Sequence, residues 1–65
     1  MTREEFDTKL AYLKLRRKDL NESLNTALHE RNWDEIDRYE NLLQMNSNAM
    51  ADLRVEFMLG GRLNG

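Results

Sequence analysis

Cysteine and proline are absent from this chain of 65 residues, and its three glycines all fall within the last six positions. Without cysteine no disulfide can staple the fold. With one histidine and no thiolate, the usual ligand set of a structural zinc is missing as well. No apolar run approaches the ~18 residues that a membrane-spanning helix needs, and the first residues, Met1-Thr2-Arg3-Glu4-Glu5, carry no apolar leader. These absences predict a cytoplasmic chain with no membrane contact, no metal and no cofactor.

The same absences leave helix formation unopposed. Nothing before Gly60 breaks a helix, and charged residues make up 34% of the chain, a composition of long solvent-facing helices. Ten basic side chains against twelve acidic ones give a net charge of −2, which is not the overall electrostatic footprint of a nucleic-acid binder.

Thr2 followed three residues later by Glu5 forms a capping-box signature, and it predicts a first helix from about residue 3 to about residue 30. Along it Phe6, Leu10, Leu13, Arg17, Leu20, Leu24 and Ala27 recur at alternating spacings of four and three, which is a coiled-coil seam with one polar interruption. Asn32 with Glu35 repeats the cap signal after a turn at about residues 31–32. A second helix, from about 33 to about 59, carries the seam Ile36, Tyr39, Leu43, Asn46, Met50, Leu53 and Phe57. Gly60-Gly61 is expected to stop it and leave residues 60–65 as a frayed tail.

The two seams are mirror images about the segment from Leu28 to Glu35. Phe6 with Phe57, Leu10 with Leu53, Leu13 with Met50, Arg17 with Asn46, Leu20 with Leu43, Leu24 with Tyr39 and Ala27 with Ile36 all have numbers that add to 63. Seven successive matches predict an all-α fold, a single antiparallel two-helix hairpin of coiled-coil type over residues 1–65. A chain of this size buries only about 60% of the surface it exposes when unfolded, so a second element should complete its core. Dimerisation into a four-helix bundle is the simplest way to supply one. The Thr2 cap at one end and the glycine pair at the other suggest a self-contained small protein.

Several large apolar residues lie off the seam: Tyr12, Leu15 and Leu28 on the first helix, and Leu42, Met45, Val55, Met58 and Leu59 on the second. Leu42, Met45 and Ala49 form a stripe flanking the seam. Apolar surface of this extent marks an interface, either with a second copy or with another protein. Trp33, at the turn, is expected either to cap the end of the core over Leu28 and Ile36 or to stand exposed as a partner anchor.

Arg17 and Asn46 form a polar layer halfway along the rod. Its plainest role is to set register, with the guanidinium carried out to water, and its alternative is to await an acidic group from a partner. A two-fold dimer centred on this layer would bring two Arg17 heads together, so any dimer is expected to be offset from it or to have its arginines splayed outward. Lys9, Lys14, Arg16, Arg17 and Lys18 occur with no acid between Asp7 and Asp19, while the second helix is mainly acidic. The arms are expected to attract each other. The basic run could also form a phosphate-binding ridge of the kind a small dimeric bundle presents to an RNA duplex.

His29-Glu30 at the turn lacks the second histidine of a His-Glu-x-x-His metal motif, and a two-helix rod offers no enclosed pocket. The chain is therefore read as non-enzymatic, with no catalytic residues. Its expected role is a small protein-protein interaction module that regulates or inhibits a larger protein, of the sort that phages and mobile elements encode as accessory factors. A nucleic-acid-binding four-helix bundle comes second, and a purely architectural oligomeric subunit third.

Overall fold

A computed structural model describes the backbone of residues 1–64 and the side chains of residues 1–60. It consists of two helices, α1 (Arg3–Glu30) and α2 (Trp33–Asn64), folded back on each other into a rod with principal extents of 51 × 16 × 9 Å. Among the described residues, no helix is long and apolar enough to cross a membrane.

α1 starts where its sequence supplies a cap. Thr2 is extended (φ −78°, ψ 162°), and its hydroxyl accepts the Glu5 N–H at 3.1 Å, while Glu4 and Glu5 place negative charge against the positive helix end. Two residues accomplish the reversal. Arg31 adopts the left-handed conformation (φ 56°, ψ 38°), so that its N–H donates to the Leu28 carbonyl at 3.2 Å and the Asn32 N–H donates to the Ala27 carbonyl at 3.0 Å. This pair of bonds is a Schellman motif, in which the position Arg31 occupies usually belongs to glycine. Asn32 then caps α2, with Oδ1 accepting the Glu35 N–H at 3.4 Å and its carbonyl accepting the Ile36 N–H at 3.0 Å.

The seams meet in the expected register. At the open end the rings of Phe6 and Phe57 stack with centroids 4.5 Å apart and planes 16° from parallel. At the turn end Ala27 and Ile36 are both buried, and Leu20, Met50 and Leu53 are buried between. The remaining apolar seam residues, Leu10, Leu13, Leu24, Tyr39 and Leu43, are only half-buried. Among the described residues no large side chain is shut off completely from solvent, because two helices cover each other on one side only.

Two expectations are corrected here. Gly60-Gly61 does not end α2, whose helical backbone continues to Asn64. No described glycine has a positive φ, so neither residue takes the left-handed conformation that terminates a helix. Gly65, the last residue of the expected frayed tail, lies outside the described residues. Nor do the oppositely charged arms pair across the seam. Among the described residues the one salt bridge is Arg3–Asp7 at 3.4 Å, within the first turns of α1 and open to solvent.

Among the described residues Arg31 is the single non-glycine residue with positive φ. Replacing Arg31 with Gly removes the steric conflict of a Cβ in the left-handed region, and thermal unfolding followed by circular dichroism should show a gain of about 1 kcal/mol. A loss of stability in Arg31→Gly would mean that the turn does not adopt this geometry in solution.

Candidate interaction surface

The seam places an amide at its centre. Asn46 is only 6% exposed, and its Nδ2 donates to the Leu13 carbonyl at 3.0 Å, across the interface between the helices. That bond ties one turn of α1 to one turn of α2 and sets their register at the middle of the rod. Oδ1 of the same side chain is buried with no donor. Such an atom is costly in a monomer. Arg17, matched to Asn46 by number, is exposed and contributes nothing to the buried layer. The layer is therefore an amide bonded to main chain, with the guanidinium outside it: a short side chain can seat between helices, whereas a long one reaches water at less cost.

Beside this seam one broad face of the rod carries two adjoining clefts. The larger, about 620 Å³, is bordered by Thr8, Lys9, Tyr12 and Leu13 of α1 and by Ala49, Asp52, Leu53 and Glu56 of α2. The smaller, about 250 Å³, runs on towards the turn between Tyr12, Leu13, Arg16 and Leu20 on one side and Leu42, Met45 and Asn46 on the other. Tyr12 and Leu13 belong to both, so the two form one groove along the rod. Helical spacing explains it. Leu42 and Ala49 flank the α2 seam on one side, one turn pair apart, and the small Ala49 leaves space that a larger residue would fill.

The off-seam apolar residues divide around this groove. Tyr12 (67% exposed) and Met45 (64%) rise from its two walls, with half-buried Leu42 and Ala49 between them. Leu59 is also exposed and shares the Met45 side of α2 by its spacing of two heptads. Leu15 and Val55 are exposed on the outer surfaces of their helices. Leu28 and Met58 are exposed and fall, by spacing, on the opposite broad face. The structure thus brings Tyr12, Leu42, Met45 and Ala49 together and leaves the other apolar residues apart.

Trp33 does not close the end of the core. It is 70% exposed as the first residue of α2, because the Ala27–Ile36 layer already fills the seam beneath the turn. Of the two roles expected for it, the lid is overturned.

Lys14, Arg16, Arg17 and Lys18 are all exposed. Arg16 joins Lys9 on the groove wall, whereas Lys14 and Lys18 fall on other sides of α1, so the run makes no single basic ridge. Across the groove from Lys9 stand Asp52 and Glu56, which reduce the positive potential there. Sequence reasoning singled out Tyr12, Leu42, Met45 and Ala49 of the groove lining but not Thr8, Asp52 or Glu56, and it missed the orphan acceptor of Asn46. The only available signal was an amide in an apolar seam.

No family model matches the chain, and neither a curated protein nor a solved structure matches it.

The placement of Trp33 is directly checkable in the native chain, which has no other tryptophan. Its fluorescence should peak near that of the free amino acid and be quenched freely by acrylamide, and Trp33→Ala should change stability by less than about 0.5 kcal/mol. A blue-shifted, protected emission at high dilution would restore the lid.

Proposed function

We propose that this protein is a small, non-enzymatic interaction module, acting in the cytoplasm, that binds another polypeptide through the grooved face of its hairpin and so regulates or inhibits a larger protein. The observation that carries this reading is the continuous groove between α1 and α2, whose apolar lining from Tyr12, Leu13, Leu42, Met45 and Ala49 stays accessible in the single chain. A groove of this form accepts a helix laid along it, with apolar anchors every three to four residues. It is an open channel, which suits a polypeptide better than reaction chemistry in an enclosed, water-free pocket. Pairing of two hairpins into a four-helix bundle belongs to the same reading, since it would cover a seam that two helices leave half-open. A cysteine-free chain is compatible with the reducing cytoplasm.

Nucleic-acid binding through Lys9, Lys14, Arg16, Arg17 and Lys18 is the second reading, supported by the exposure of all five side chains. It is weaker because they are distributed around α1 and two of them face a groove with an acidic opposite wall. A purely architectural role ranks third.

Capture with the tagged full chain from a lysate of the organism that makes it separates the three. A protein retained after nuclease treatment, and lost with Met45→Asp, supports the interaction module. Met45 is exposed in the single chain, so at high dilution this substitution should leave the helicity and stability of the hairpin within about 0.5 kcal/mol of the parent. Nuclease-sensitive capture that falls steeply with salt would support nucleic acid, and capture of nothing but the chain itself would leave the architectural role.

A further inference from the structure

The groove and the residues along its α1 wall share one centre. Positions whose numbers add to 63 lie at one level of the rod, so the groove runs from the level of Glu56, near Thr8, to that of Leu42, near Leu20, and its midpoint is the level of residue 14 and Ala49. On the same side of α1, Lys9 and Asp19 stand five residues either side of that level, and Tyr12 and Arg16 stand two either side. A stripe reading cation, aromatic, cation, anion about its own centre is complementary to itself when reversed.

We propose that a second copy of the chain covers this face, antiparallel to the first, about a two-fold axis perpendicular to the rod at the level of Ala49. This rests on the grooved face being an interaction surface, and names a second copy of the chain as the polypeptide that covers it; a larger protein would then bind the dimer elsewhere. The axis sets Lys9 of each copy against Asp19 of the other, and the Tyr12 ring against the other copy's Arg16 guanidinium, each pair occurring twice. Ala49 meets its own copy on the axis, where its small side chain lets the two α2 helices approach. Tyr12 of the second copy arrives within one turn of Asn46, over the groove floor where Oδ1 is buried without a donor, and brings a phenol hydroxyl to it. The centre lies about three residues from the Arg17 level, so the two Arg17 guanidinium groups are kept apart.

The absence of cysteine makes a site-specific test clean. A spin label on Glu30→Cys, at the exposed end of α1, stands roughly 24 Å from the axis at the helical rise, so its copy should lie roughly 48 Å away by electron-electron double resonance. Sedimentation equilibrium of the full chain should show twice the 7.8 kDa chain mass. Lys9→Asp and Asp19→Lys should each weaken the dimer roughly three- to tenfold, and the double exchange should restore it. These residues are roughly 15 Å apart on one helix, so restoration can arise only between chains.

The outcomes are distinct. A monomer at millimolar concentration overturns the dimer but leaves the groove free for a different protein, whose capture still tests the interaction module. A dimer with the labels close together overturns the antiparallel axis. A dimer with the long distance but independent effects at positions 9 and 19 overturns the register.

Discussion

Two helices that pack on each other share a single seam, and every other feature of this molecule follows from how little that seam can enclose. Each seam residue has neighbours on its own helix and on one partner, with solvent on the remaining sides. Leu20, Ala27, Ile36, Asn46, Met50 and Leu53 reach burial, while the other eight seam residues stop short of it, Arg17 leaving the seam altogether. Hydrophobic stabilisation scales with apolar area removed from water, so such a rod relies on features that a thicker bundle could do without.

One of these is precision at the ends. The Schellman bonds of Arg31 and Asn32, followed at once by the Asn32 cap, satisfy main-chain groups of both helices within two residues. A longer connection would cost closure entropy and loosen the Ala27–Ile36 layer beneath it. Another is the stacked Phe6–Phe57 pair, which closes the opposite end with two aromatic rings. Between them, the Asn46–Leu13 bond gives up some hydrophobic area for a fixed register. In a seam dominated by leucine, sliding by a heptad would otherwise cost little.

The incomplete core also accounts for the grooved face. The groove opens where Leu42 and Ala49 flank the seam and the opposite wall carries Lys9, Tyr12 and Arg16, so its floor is apolar and its rims are charged. On the other broad face, by their spacing, lie Asp7, Lys14 and Asn21 of α1 and Glu40, Ser47 and Arg54 of α2, together with exposed Leu28 and Met58. Asn46, whose Oδ1 is buried without a partner, lines the grooved side.

Periodicity and local hydrogen bonding were legible in the residues themselves. The Thr2 and Asn32 caps, the turn between the helices and the pairing of Phe6 with Phe57 all follow from spacing, because no proline or internal glycine competes before position 60. Three things were decided by the tertiary structure. Trp33 is exposed because Ile36 and Ala27 already fill the end of the seam. Asn46 goes inward and Arg17 outward because a short amide reaches a carbonyl on the neighbouring helix, whereas a long cation reaches water. And the side on which Tyr12 meets Leu42, Met45 and Ala49 depends on how the two helices are rotated about their own axes, a choice that both seams permit and that only their packing against each other makes.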